Sequence, residues 1–376
     1  MSGSACFIWI PQYDRYCFGA DHPLHPWRLK STYDLLLEYG LLTPDEIVPA
    51  FPARQEDLLL VHSPDYIAAV KRAIPTCGST HTRDGNLLAF GLGTEDNPIF
   101  PDMHAASCLP VGASLTGVQL ILDGRCLHAL NIGGGLHHAQ SQKAAGFCIY
   151  NDAAIAIAHL RYRRGLRVAY VDIDAHHADG VQWAFYSDRH VLTISLHETG
   201  RFLFPGSGTV HERGVGAGYG YTVNAPLEPF TEDGSWQEVF LSVVPDLLRQ
   251  FSPDILISQH GSDGHRYDPL AHLALTTDSF EVAARTLHAL AHELCGGRWL
   301  ALGGGGYDPG VVPRAWALLW AHMSGRGIPP ALCDHPEDFP PMVRRTEIAA
   351  ANRRMLETLR SGRHAAGSRP VPGGTD

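Results

Sequence analysis

Tyr170-Val-Asp-Ile-Asp-Ala-His-His-Ala-Asp179 begins as an apolar, β-rich run and ends in carboxylates and imidazoles. Residues two apart in a strand share a face, so Asp172 and Asp174 leave the same side together. As the chain turns out of the strand, His176 can join Asp174 on one cation, because one nitrogen and one oxygen ligand suit zinc. The same side chains can instead form a buried ion-paired network or a hydrogen-bonded core histidine. A catalytic metal would need a third protein ligand from elsewhere.

Outward from this run, short apolar stretches at 7–10, 127–132, 191–196, 255–258 and 299–302 repeat the β pattern of 168–173. Between them lie amphipathic, helix-forming segments at 26–39, 64–74, 152–164, 235–250 and 279–294. That alternation predicts an α/β fold with a central, mainly parallel sheet and helices on both faces. One large domain over 1–360 accommodates it. The Gly, Ser and Pro-rich stretch 361–376 is expected to be a disordered tail.

A hydrophobic share of 45% against 18% charged residues is enough for a substantial core. The formal charge of -10 comes without a dense Lys/Arg block, which argues against direct nucleic-acid binding. Acidic loops around a site would also attract a cationic substrate. The eight cysteines include no CxxC pair and are expected to be reduced. No signal-peptide pattern and no 18-residue uncharged apolar stretch is evident, so the expected location is the cytoplasm, without a membrane partner.

In open parallel sheets, ligands bind beyond the carboxyl ends of the strands. The best third ligand there is Asp263, in Gln259-His-Gly-Ser-Asp-Gly-His265. An Asp, His, Asp set leaves coordination positions open, as a catalytic metal needs. A second strand ends in Gly133-Gly-Gly-Leu-His-His-Ala139. Adjacent His137 and His138 could act as general base and electrostatic or acid partner, with Asp172 and Asp179 as the available carboxylates; packing is the alternative. A third ends in Gly303-Gly-Gly-Gly-Tyr307, which lacks the Lys and Ser/Thr of a phosphate loop. Tyr307 is either an oxyanion donor or a half-buried aromatic.

Together with His22-Pro-Leu-His-Pro-Trp-Arg28, His62-Ser-Pro-Asp-Tyr-Ile67, Gly93-Thr-Glu-Asp-Asn-Pro98, Gly146-Phe-Cys148 and Phe204-Pro-Gly-Ser-Gly208, these motifs resemble the zinc-dependent histone deacetylase superfamily. The similarity spans about residues 6 to 325 and is greatest to the bacterial acetoin-utilisation (AcuC-type) branch, within the arginase/deacetylase fold. The resemblance implies hydrolysis of acetyl-lysine in proteins through a metal-activated water. It implies zinc on Asp174, His176 and Asp263, with His137, His138, Tyr307, Asp172 and Asp179 catalytic. Asp96, Gly146, Phe147, Phe204 and Gly305 match substrate-binding positions, and Arg28 matches an inner-cavity arginine.

The same resemblance implies a structural potassium ion at Asp172, Asp174, His176, Ser195 and Leu196. A second cation site would use Phe185, Val191 and Tyr221, with Asp188 where relatives commonly carry a hydroxyl. Two further departures are Leu136, where many relatives have an aromatic, and His265, where two-manganese ureohydrolases of this fold carry a second metal-binding Asp. That rival, and a non-catalytic acetyl-lysine-binding module, are the competing readings. Substrates implied by the branch are acetylated metabolic enzymes such as acetyl-CoA synthetase, with acetylpolyamines as an alternative.

Overall fold

The computed structural model describes residues 5–75, 81–335 and 339–361. Among these, eight strands form one sheet: β1 (Ala5–Trp9), β2 (Ile47–Pro49), β3 (His128–Asn131), β4 (Val168–Asp172), β5 (Val191–Glu198), β6 (Thr222–Leu227), β7 (Ile255–Gln259) and β8 (Trp299–Leu302). Neighbours pair in parallel in the order β2-β1-β3-β8-β7-β4-β5-β6. Every residue of β3, β4, β7 and β8 is buried. A parallel strand without a wet face requires helices on both sides, which is why these strands are mostly apolar, with the polar residues His128, Asn131, Asp172, Ser258 and Gln259 at their ends.

The expected helices form at Trp27–Glu38, Pro64–Arg72, Asp152–Ala158, Asp233–Phe251 and Thr277–Cys295. The third stops earlier than its pattern, widening into a π turn over His159–Arg163. Side chains cap the starts: Ser63 accepts from the Tyr66 amide, Asn151 from Ala154 and Thr276 from Asp278. The two edge strands β2 and β6 were not expected. β2 has three residues and ends on Pro49, and β6 carries Asn224 and Pro226, all weak strand formers.

One expectation is corrected. The helix Met103–Leu122 has no Asp, Glu, Lys or Arg and is long and apolar enough to cross a membrane. Here it is mostly buried, packed on β1, β3, β8 and Asp152–Ala158, as the central helix of the fold. The seven described cysteines are free, and Cys77 lies outside the described residues. The expected tail also falls outside them from 362 onward; Ser361 ends the helix Arg345–Ser361.

Candidate active site

The polar groups singled out above gather beyond the carboxyl ends of five neighbouring strands, β3, β8, β7, β4 and β5. The loop after β4 brings Asp174 and His176 to Asp263 from the loop after β7. One ligand atom from each lies within 4.8 Å of the others, and all three residues are buried. His176 Nδ1 is 3.1 Å from Asp174 Oδ1 and 2.8 Å from Asp263 Oδ2. Backbone amides fix the carboxylates: Ala175 donates to Asp263 Oδ1 at 2.8 Å and Gly305 to Asp174 Oδ2 at 2.6 Å. A Cβ on Gly261 would sit 2.1 Å from Asp174 Oδ2, and one on Gly305 2.1 Å from Asp263 Oδ2, so both turns need glycine.

Two buried carboxylates this close require a positive charge beside them. Burial opposes ionisation of His176, yet Asp174 and Asp263 outweigh it and raise its pKa well above that of a free imidazole. Burial, then Asp174, pushes Asp263 up to about 6. A divalent cation meets the same need through two oxygens and one nitrogen, so these residues fit a metal.

Beside this group stand two histidine–carboxylate pairs. His137 Nδ1 is 2.8 Å from Asp172 Oδ2, and His138 Nδ1 is 2.7 Å from Asp179 Oδ1. Their Nε2 atoms meet at 3.1 Å. Burial pulls the His137 pKa down, but Asp172 and Asp174 reverse this and raise it to about 9. Burial and then His137 lower His138 to about 4. The surrounding carboxylates therefore favour a proton on His137 over a second proton on His138. Asn151, besides capping its helix, donates to the His137 and Ala139 carbonyls at 3.0 and 2.9 Å, which holds the loop in place.

Tyr307 reaches the site on the turn after β8, where Gly304 and Gly306 have φ of 135° and 123°. Only glycine adopts such angles readily. Buried Arg28 donates through one nitrogen to the carbonyls of both, at 2.9 Å each. Arg28 thus clamps this turn, with its guanidinium 5.7 Å from the Tyr307 ring centre. Burial, then Asp263, raises the Tyr307 pKa well above its usual value, keeping the hydroxyl protonated.

A cavity of about 220 Å³ opens onto these groups, lined among others by Asp96, Gly146, Phe147, Phe204, Gly305 and Tyr307. Leu24, Leu203 and Leu270 add apolar wall. Phe204 stands edge-on to His138 with centroids 4.9 Å apart, Gly146 packs on the same imidazole, and Asp96 is exposed.

At the expected cation positions, Asp172 pairs in register with Ser195, and Leu196 follows on β5. Near the second, the Asp188 carboxylate is engaged by Arg161 and the His190 amide, both at 2.9 Å. His265 is buried and its Nε2 lies 2.8 Å from Asp334 Oδ2, while its Nδ1 accepts from the Tyr267 amide at 3.2 Å. Both ring nitrogens are committed there, so His265 supplies no ligand for a second metal.

Two carboxylates were missed. Asp152 accepts from the Gly135 and Leu136 amides and the Ser114 hydroxyl, anchoring the His137 loop. Asp268 accepts from the Tyr307 amide at 2.8 Å, and burial, then Asp263, pushes it up to about 8. Asp152 follows an N-cap asparagine and reads as an ordinary first-turn acid; Asp268 sits in a loop without a pattern.

Residues 22–323 match the histone deacetylase domain. The chain belongs to the histone deacetylase family. It is 45% identical over 367 residues to the acetoin utilization protein AcuC of Bacillus subtilis (strain 168), covering 92% of this chain and 94% of that one. It is 40% identical to AcuC of Staphylococcus aureus (strain MSSA476), covering 94% and 96%. A crystal structure of a histone deacetylase homologue from Aquifex aeolicus superposes with a TM-score of 0.82 at 30% identity, covering 95% of this chain and 99% of that one. A homologue complexed with SAHA gives 0.77 at 29%, covering 99% and 96%. This histone deacetylase family member has the AcuC-type sequence and the arginase/deacetylase fold, which places it among deacetylase enzymes.

Proposed function

We propose that this deacetylase removes acetyl groups from the side-chain amine of acetyl-lysine in proteins, with residues 1–360 as one catalytic domain and zinc held by Asp174, His176 and Asp263. The reading rests on the convergence of His137 and His138, each backed by a carboxylate, beside that ligand group at the end of an apolar-walled cavity. When bound, zinc supplies Lewis acidity to the acyl carbonyl and to water.

The remaining steps belong to the chain. His138, neutral at pH 7, takes a proton from the attacking water. His137, its Nδ1 on Asp172 and its Nε2 beside His138, acts as the electrostatic partner of that base, and the Tyr307 hydroxyl stabilises negative charge growing on the carbonyl oxygen. The amide C–N bond then breaks as His138 returns the proton to the leaving lysine amine, and the acid product gives its remaining proton to that amine, so that acetate and an ammonium group result. Phe147 and Phe204 suit the methylene stem of a lysine, whose amine can lie deep while the peptide stays outside. Potassium at Asp172, Asp174, His176, Ser195 and Leu196 belongs to the same reading, as does a cytoplasmic location, which suits free cysteines.

Exposed Asp96 lines the cavity, and in this reading its carboxylate grips substrate backbone amides. Asp96→Ala should therefore impair hydrolysis of acetyl-lysine peptides and spare acetylated polyamines, which have no such amides; equal losses on both would make the loop merely structural. Profiling the zinc-loaded enzyme on both classes tests the function itself. Turnover confined to the polyamines would overturn the protein-substrate reading.

A further inference from the structure

The opposite end of the sheet carries a second histidine group. His128 is the first residue of β3, and His288 and His292 lie one turn apart on Thr277–Cys295, sharing a face. Their Nε2 atoms form a nearly equilateral triangle: His128 to His288 is 3.1 Å, His128 to His292 is 3.2 Å and His288 to His292 is 3.2 Å. The ring centroids are farther apart, at 4.8, 5.0 and 4.8 Å, so each ring points its Nε2 vertex inward. The ring planes cross at 73°, 83° and 87°.

Hydrogen bonding alone cannot satisfy this arrangement. Each Nε2 is either a donor or an acceptor, whatever the protonation of the ring. Among three such atoms at least two are alike, so at least one contact sets lone pair against lone pair or hydrogen against hydrogen. A single cation removes the conflict, because all three nitrogens then present lone pairs to it. Tetrahedral zinc with bonds of about 2.0–2.1 Å places its ligand nitrogens about 3.3 Å apart, close to the spacing found here.

The donor set is all imidazole, which suits zinc among the biologically common divalent ions and not calcium or magnesium. His128 is buried, His288 partly so and His292 exposed, which leaves one side open to water and to the entering ion. We propose that His128, His288 and His292 bind a zinc ion at a site separate from the catalytic cavity, with water as the fourth ligand. The ion would cross-link the amino end of β3 to the helix Thr277–Cys295.

The test uses full-length protein made without an oligohistidine tag, loaded with zinc, dialysed against metal-free buffer and assayed for metal. His292→Ala removes an exposed ligand and should retain the parent's deacetylase activity while binding one zinc fewer per chain. His288→Gln should lose the same equivalent. Zinc should also raise the melting temperature of the parent more than that of either variant. Because the catalytic residues are unchanged throughout, the difference reads the same whether or not the catalytic group holds zinc. Equal zinc content in the parent and both variants would overturn the proposal.

Discussion

Tyr307→Phe is expected to lower turnover on an acetyl-lysine peptide by roughly a hundredfold to a thousandfold, about 3 to 4 kcal/mol, as for removal of one oxyanion-hole donor. Zinc content and melting temperature should stay near those of the parent. The ring is positioned through its backbone: Arg28 holds the Gly304 and Gly306 carbonyls, and Asp268 accepts from the Tyr307 amide. Phenylalanine keeps these contacts and the edge-on packing against Phe147, at 6.0 Å between centroids. What it loses is a hydroxyl that burial keeps protonated. A donor whose bond strengthens as the carbonyl oxygen gains charge stabilises the transition state more than the substrate, so KM should change much less than kcat. Steady-state kinetics with a melting curve and a zinc assay check this; near-normal turnover would remove Tyr307 from the mechanism.

How legible the site was depends on the range of the interaction involved. Strands β3, β4, β7 and β8 could be read because a parallel strand buried on both faces is a continuous apolar run, and that signal is local. The edges could not: β2 and β6 are defined by their neighbours, and Pro49 or Pro226 is tolerated only because an edge strand leaves amides unpaired. In the site, β4 ends at Asp172 and Asp174 already lies on the following turn, its amide donating to Asp172 Oδ1, so strand alternation does not by itself set their placement; glycine turns mark the loops carrying His137, Asp263 and Tyr307. Asp152 and Asp268 had no comparable signal. Asp152 meets its loop across 16 or 17 residues of sequence, and Asp268 meets the Tyr307 amide across 39. Arg28 was anticipated as a cavity residue, but its grip on two glycine carbonyls spans more than 270 positions and follows only from the folded chain. The histidine triangle was invisible for the same reason, since His128 and its two partners lie 160 and 164 residues apart.

Asp263→Asn is expected to abolish measurable turnover and strip the catalytic metal while leaving the fold intact. The asparagine oxygen can still accept from the Ala175 amide, as Oδ1 does now at 2.8 Å, so the loop after β7 keeps its anchor. The loss is a negative oxygen from the proposed three-residue ligand set, and neutral amides hold zinc poorly. In metal-free protein, burial and then Asp174 raise Asp263 to about 6 in the folded state, against about 3.9 for an unfolded aspartate. A raised carboxyl pKa means that the folded state binds this proton more tightly, so the contribution of this group to stability is lost as pH climbs from about 4 to about 6. The variant has no such titration, although its amide also gives up the contact that Oδ2 makes with His176 Nδ1 at 2.8 Å. Between about pH 4 and pH 7 the melting temperature of the metal-free variant should therefore fall less than that of the metal-free parent, whereas zinc should raise the melting temperature of the parent more than that of the variant. Calorimetry at the two pH values, with metal content and turnover on an acetyl-lysine peptide, checks all of this together. Parent-like zinc content and turnover in Asp263→Asn would show that Asp263 is not a ligand.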